Sequence, residues 1–292
     1  MRNIVKKTTL VSSLVLALSA NSMYAQSFEW ISSTEGNTWQ KSKAKLQTNA
    51  AQTPILDVNG SEEGTVFKAW GTCFNELGWD ALNMLPRKEQ ETILHKLFSP
   101  EGELRFTMGR FSLNANDYAR DWYSCDEVPG DFQLKYFNIN RDKTTLIPFI
   151  KAAQQYNPNM TFWMSPWSPP SWMKINHYYS VRSDRNQNQM SPLSDVALFE
   201  GSKEKNTKVF PQQLAVNYFI QDPRYLQTYA NYFCKFIDAY KQQGIAISMV
   251  MFQNESWSYT NYPGCAWTAE GIIRFNTEYL APTLKKQHPE IK

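Results

Sequence analysis

From about residue 65 onward, short apolar runs alternate with longer stretches whose apolar positions recur at helical spacing. The runs near 65–72, 104–110, 160–165 and 245–253 are too short for buried helices and rich in β-branched or aromatic residues, so they predict strands. Between them, Ile93, Leu94, Leu97 and Phe98 share one face of a helix opened by Pro86, a residue suited to a first helical turn. Leu146, Ile147, Ile150 and Ala153 mark a helix over 144–155, in which Pro148 is tolerable because it falls in the first turn. Leu226, Tyr229, Phe233, Phe236 and Ile237 mark a third helix over 223–242. Thr268 can cap a last one that carries Ile272, Ile273, Phe275, Leu280 and Leu284. Residues 289–292 look like the approach to a fifth strand.

Repeating strand–helix units imply an α/β fold with parallel strands and right-handed crossovers. Four units correspond to the N-terminal half of a (β/α)8 TIM barrel, expected over 63–292 as strands one to four. The alternative is a complete, open doubly wound sheet. That reading loses ground because no glycine-rich phosphate loop follows any strand, and the first turn, residues 69–76, does not resemble one. Residues 26–62 are polar and rich in Thr, Ser and Gln, with a strand-like patch at 28–31, and are expected to form an arm belonging to a small β-sandwich. A polar segment at 176–208 interrupts the rhythm, and loops of this length are commonly functional or disordered.

The first 25 residues change the compartment. Arg2, Lys6 and Lys7 precede an apolar stretch at 8–20 that is too short to span a bilayer, and Met23-Tyr24-Ala25 offers a cleavage site. No second apolar segment of spanning length follows, so the stretch is read as an export signal and not an anchor, with a secreted or periplasmic product. Removing those three basic residues from 30 leaves 27 against 27 acidic ones. A near-neutral surface gives no support to nucleic acid or anionic membrane as partner. Cys73, Cys125, Cys234 and Cys265 allow three disulfide pairings, or four buried thiols. None has metal-ligand spacing and only three histidines are present, so neither metal nor cofactor is expected. Ten tryptophans, several near predicted strand ends, suit a cleft in which sugar rings stack on aromatic planes.

Candidate chemistry concentrates at Asn254-Glu255, which closes the run 245–253. In an α/β barrel, catalytic groups sit at the carboxyl ends of strands. Cleavage at an acetal carbon needs a carboxylic acid to protonate the departing oxygen, with its pKa raised by burial or a nearby carboxylate. Glu255 is the candidate. No second carboxyl group appears in a comparable setting before Lys292.

Four segments, in order, resemble glycoside hydrolase family 30, the glucosylceramidase-like retaining β-glycosidases. They are Trp70-Gly71-Thr72-Cys73-Phe74-Asn75-Glu76; Arg110 through Asp117-Tyr118 to Asp131-Phe132; Ser165-Pro166-Trp167-Ser168-Pro169-Pro170-Ser171-Trp172-Met173-Lys174; and Gln253-Asn254-Glu255. The resemblance implies that Glu255 is the general acid/base and that Asn254 binds the sugar 2-hydroxyl. It also implies that Asp117 and Arg110 form a second-strand sugar-binding pair, that Trp167 walls the sugar subsite, and that Glu76 is a substrate-binding carboxylate near the first strand. At a strand end, Arg110 can orient a carboxylate by charge-assisted bonds. Trp122 and Tyr123 are weaker matches. Ser112 and Asn114 stand where the family usually has proline and glycine, and Ser256 where proline commonly follows Asn-Glu.

The family's nucleophile, a glutamate ending the seventh strand, is absent from this chain, so the resemblance implies a fragment cut before the nucleophile strand. The expected function is a secreted retaining β-glycosidase acting on carbohydrate or glycolipid, such as β-1,6-glucan or glucosyl lipids. The alternative is a non-catalytic sugar-binding remnant of such a barrel.

Overall fold

The computed structural model describes residues 27–45, 66–181, 217–258, 260 and 262–292, which divide into two compact units at Val66/Phe67. Residues 1–26, where an export signal is expected, and the segment at 182–208 lie outside the described residues. In the first unit, β1 (Ser27–Thr34) and β2 (Asn37–Lys45) form an antiparallel hairpin. Its turn places Gly36 at φ +79°, a conformation that costs a residue without Cβ little. The hairpin falls within the expected arm.

The second unit holds a four-stranded parallel sheet in the order β3 (Gly71–Phe74), β4 (Met108–Leu113), β5 (Thr161–Pro166) and β6 (Ile247–Val250). Helices fill the connections: α1 (Glu76–Asn83), α2 (Arg87–Phe98), α3 (Leu146–Tyr156) and α4 (Pro223–Gln242). After β6 come α5 (Ala269–Arg274), a π-helical turn (Phe275–Leu280) and α6 (Ala281–Gln287). The strand order follows the chain, as in the first half of a (β/α) barrel and unlike a doubly wound sheet, whose order reverses at a switch point. Lys292 extends the sheet: its carbonyl accepts from Val250 N at 2.9 Å and its N–H donates to Ser248 O at 3.1 Å. The approach to a fifth strand is therefore paired on β6.

Alternation along the strands sorts the sheet into two faces. Phe74, Phe111, Phe162, Met164 and Ile247 are buried beneath the helices. Gly109 lies between these rings, where an added Cβ would sit 2.5 Å from Phe74 and 2.8 Å from Phe162. α4 contributes most of the cover, because Asp222 caps it, Pro223 starts it, and its apolar stripe runs Leu226, Tyr229, Phe233, Phe236, Ile237, Tyr240. Tyr240 stacks on Phe111 at 4.7 Å. Truncating a ring in such a core costs about 3–5 kcal/mol. The opposite face carries Cys73, Arg110 and Trp163, aligned across three strands by register.

Two strands begin later than their apolar runs suggest. Arg105 takes φ +51°, and Leu104 and Phe106 donate to carbonyls at the end of α2, so pairing in β4 starts at Met108. β3 likewise pairs from Gly71, opposite Met108. All four cysteines are unpaired thiols, Cys73 exposed and the other three buried in the core. None of the alternative disulfide pairings forms. Among the described residues, no helix is long and apolar enough to cross a membrane.

Candidate active site

The chain beyond β6 is pinned to the chain beyond β5. Met251 N donates to Met164 O at 2.9 Å, Asn254 N to Pro166 O at 2.7 Å, and the buried Gln253 amide to Trp167 O at 2.6 Å. These bonds deliver Asn254 and Glu255 to the carboxyl end of the sheet. There the backbone reverses: Glu255 takes φ +45°, and Ser258 N closes the turn on Glu255 O at 2.9 Å. A non-glycine residue held there costs on the order of 1 kcal/mol, and strain of this kind collects where a side chain must be aimed.

Glu255, Asn254, Arg110, Asp117 and Trp167 line one cleft of about 270 Å³ at the strand ends. Arg110 organises it. The guanidinium lies over Trp167 at 4.3 Å and Trp163 at 4.8 Å, and donates to Ser165 Oγ at 2.8 and 3.2 Å. Its Nη2 also donates to Asn254 Oδ1 at 2.6 Å. Arginine only donates, so the Asn254 oxygen must face it, and the amide NH₂ is left to donate to a ligand. The expectation that Arg110 orients a carboxylate by direct bonds is corrected: it orients the Asn254 amide. Burial lowers the Arg110 pKa from its ordinary value, opposed by the charges of Asp117 and Glu255 among others.

Asp117 stands at the exposed lip of the cleft. Burial of its carboxyl is the largest cause raising its pKa, and the charge of Glu255 adds to it. Its own backbone N–H, Arg110 and a hydrogen bond from Trp167 work the other way. The loop that carries it is sound despite the two departures noted. Asn114 occupies the left-handed region at φ +71°, which asparagine tolerates. The Asn114 amide is anchored at both ends: Oδ1 accepts from Cys125 N and the Tyr232 hydroxyl, and Nδ2 donates to Ser168 O.

The burial expected of an acid is not supplied at Glu255, whose side chain is exposed. It does not stand alone, however. The Tyr262 hydroxyl donates to its Oε2 at 2.8 Å. Burial first, then this bond and the charge of Glu255, push the Tyr262 phenol up to about 12. Tyr262 was not among the candidates. Seven residues past Glu255, in a loop with another tyrosine and no periodicity, nothing but proximity marks it. Cys73, Asn75, Asn116 and Tyr118 also line the cleft and were missed.

Glu76 is corrected outright: it does not line the cleft. It is buried in the first turn of α1, with Arg141 donating to its two oxygens at 2.9 and 2.9 Å and Arg120 N at 2.8 Å. Those bonds occupy both oxygens. Tyr123 belongs to the same structural region, its ring beneath the Arg141 guanidinium at 4.4 Å and its hydroxyl on buried Asp142 at 2.7 Å. Trp122 packs edge-on against Tyr178 in a satellite core. A larger hollow of about 480 Å³ lies between α2, the turn at 101–103 and Tyr156. It sits at the opposite end of the strands, where barrel residues serve stability and not chemistry.

The model of the glycosyl hydrolase family 30 TIM-barrel domain matches residues 67–188. The chain is 26% identical over 237 residues to an endo-1,6-β-D-glucanase of Aspergillus fumigatus, covering 80% of this chain and 44% of the relative. It is 25% identical over 270 residues to the lysosomal acid glucosylceramidase of Mus musculus, covering 89% and 46%. A solved endo-β1,6-glucanase superposes with TM-score 0.62 at 23% identity, over 80% of this chain and 45% of that one. The chain thus spans a little under half the length of these relatives.

Proposed function

We propose, on the premise that residues 67–188 are a glycosyl hydrolase family 30 barrel segment, that the protein cleaves β-glucosides with retention of configuration and that Glu255 is its proton donor. The observation that carries this is one cleft holding Glu255, Asn254, Asp117 and Trp167 at the carboxyl ends of parallel strands. Each group has a task there. Glu255 protonates the departing oxygen and later takes a proton from water. The Asn254 NH₂, aimed by Arg110, binds the 2-hydroxyl of the sugar. Asp117 accepts from neighbouring hydroxyls, and the Trp167 ring walls the sugar. A retaining reaction requires a second carboxyl group about 5 Å from the first, to form the glycosyl–enzyme bond. Among the described residues the acids lining the cleft are Asp117 and Glu255, and Asp117 is assigned to hydroxyl binding. The nucleophile therefore comes from outside this set.

The names of the relatives favour β-1,6-glucan or a glucosyl lipid as substrate, and the basic start with its apolar stretch favours export. Incubating the active protein, with its nucleophile in place, with β-1,6-gluco-oligosaccharides, glucosylceramide and an aryl β-glucoside, with the anomer of the released sugar followed by NMR, tests the reading. Release of β-glucose supports it. Release of α-glucose, or binding of all three without release, refutes it; the second result marks a sugar-binding remnant.

A further inference from the structure

The Ser165–Lys174 motif contains one residue that the site does not use. Lys174 is fully buried and does not line the cleft. Its ammonium donates to Tyr179 O at 2.7 Å, Gly264 O at 2.7 Å, Ser180 O at 3.2 Å and Ser168 Oγ at 3.3 Å. Three stretches of irregular chain meet on that one group: the turn after β5, the segment 179–180, and the segment that follows Tyr262. Two backbone contacts run alongside, Gly264 N to Tyr179 O at 3.0 Å and an isolated bridge between Ser180 and Pro263.

We propose that Lys174 is a positioning residue for the Glu255 carboxyl: its ammonium ties the 262–264 segment to the chain beyond β5, and that segment holds the Tyr262 hydroxyl on Glu255. This rests on reading Glu255 as the proton donor. The chemistry of the side chain fits the task. Carbonyls in bent loops point in directions no strand can satisfy, and a compact ammonium on a long stem reaches several at once. A buried charge is expensive, and an apolar residue of equal volume is often as stable or more so, so such a charge is better explained by the conformation it fixes than by stability.

The groups facing Lys174 electrostatically are Cys265 and Glu127. Glu127 is engaged by Ser124, Ser171 and the Tyr179 hydroxyl. Burial pushes the Cys265 thiol up to about 12 and pulls Lys174 down to about 8. Burial also raises the Glu127 carboxyl, opposed by the hydrogen bonds it accepts from Ser124, Ser171 and Tyr179.

The test needs no turnover, so it separates this proposal from the glycosidase reading. Tyrosines of the full 292-residue chain are labelled with ¹³C at Cζ, and the Tyr262 signal is assigned by its loss in Tyr262→Phe. In the unmodified chain Tyr262 stays protonated to about pH 11. In Lys174→Met the loop is released, and the Tyr262 ionisation constant rises at least tenfold, toward the ordinary phenol value near ~10. A folded Lys174→Met whose Tyr262 titrates unchanged overturns the proposal and leaves Glu255 untouched. Should that variant not fold, Lys174→Gln, whose amide reaches fewer of the carbonyls, is titrated in its place. An unchanged Tyr262 midpoint in a folded Lys174→Gln overturns the proposal.

Discussion

The same dipeptide ends two strands of this sheet, and the two copies behave as opposites. Asn75-Glu76 follows β3 and Asn254-Glu255 trails β6. After β3 the chain enters a helix at once. The Asn75 side chain accepts from Gly78 N at 2.7 Å as the cap of α1, and Glu76 becomes a buried first-turn residue clamped by Arg141. After β6, among the described residues, no helix follows until Ala269. The Asn254 amide is taken by Arg110, and the left-handed turn at Glu255 swings its carboxyl into the cleft. A carboxylate locked in a two-pronged ion pair is a brace. One held by a single phenol in the cleft is the proposed proton donor. The path of the next few residues, and not the dipeptide, separates the two.

The sharpest way to break that contrast is to neutralise each glutamate in turn. Glu255→Gln is expected to lower cleavage of poor leaving groups by about 10²–10⁴-fold in the active protein, the ordinary worth of a positioned acid. Activated aryl glucosides should lose less, because they depart without a proton. Equal loss on both classes would remove Glu255 from the role. Glu76→Gln should do the reverse. It leaves a guanidinium that is only a quarter exposed with Asp121, at 3.7 Å, as its remaining acidic partner, and urea melts should show a loss of about 1–3 kcal/mol with turnover per folded molecule preserved. Unchanged stability with lost turnover would return Glu76 to the chemistry.

A second prediction sharpens the buried side through pH. Asp142 is fully buried and accepts from the Tyr123 and Tyr240 hydroxyls at 2.7 and 2.8 Å. Burial, more than those two bonds can offset, raises its pKa from 3.8 to about 6. In the window between those values the folded chain keeps a proton that the unfolded chain has lost. The stabilisation from this group is therefore complete below about pH 4, lost as pH climbs to about 6, and flat beyond. The span is of order 3 kcal/mol. Asp142→Asn should flatten it, and urea midpoints for both proteins at pH 4 and 6.5 check this. An equally sloped variant would place the pH dependence elsewhere.

Periodicity carried the fold well where packing alone decides. The helix 223–242 is bounded as its cap and Pro223 dictate, β6 lies inside its apolar run, and β5 runs one residue past its own, to Pro166. It failed where hydrogen bonds outrank hydrophobicity. Residues 104–106 are apolar enough for a strand, yet their N–H groups close the end of α2. α1 buries few side chains and escaped notice; a single cap and a first-turn ion pair define it. The candidate site divides in the same way. Asn254, Glu255, Asp117, Arg110 and Trp167 belong to short motifs and converge. Tyr262 arrives on a loop whose course is set by distant partners, among them the Lys174 ammonium. No local pattern encodes that. Glu76 was misjudged because its partner, Arg141, lies 65 residues away.

The smallest expected effect probes the cap that sends Glu76 inward. Asn75→Ala removes the acceptor for Gly78 N and should cost about 1 kcal/mol, the usual worth of an asparagine cap. Asn75→Ser keeps an acceptor on a shorter stem and should recover much of that loss. The pair is informative because Asn75 also lines the cleft. If the contrast between the two dipeptides is one of backbone path, stability should follow capping strength across the series Asn, Ser, Ala. If Ala and Ser cost the same, the cap is not what turns the chain, and the buried position of Glu76 is held by Arg141 and the Arg120 N–H.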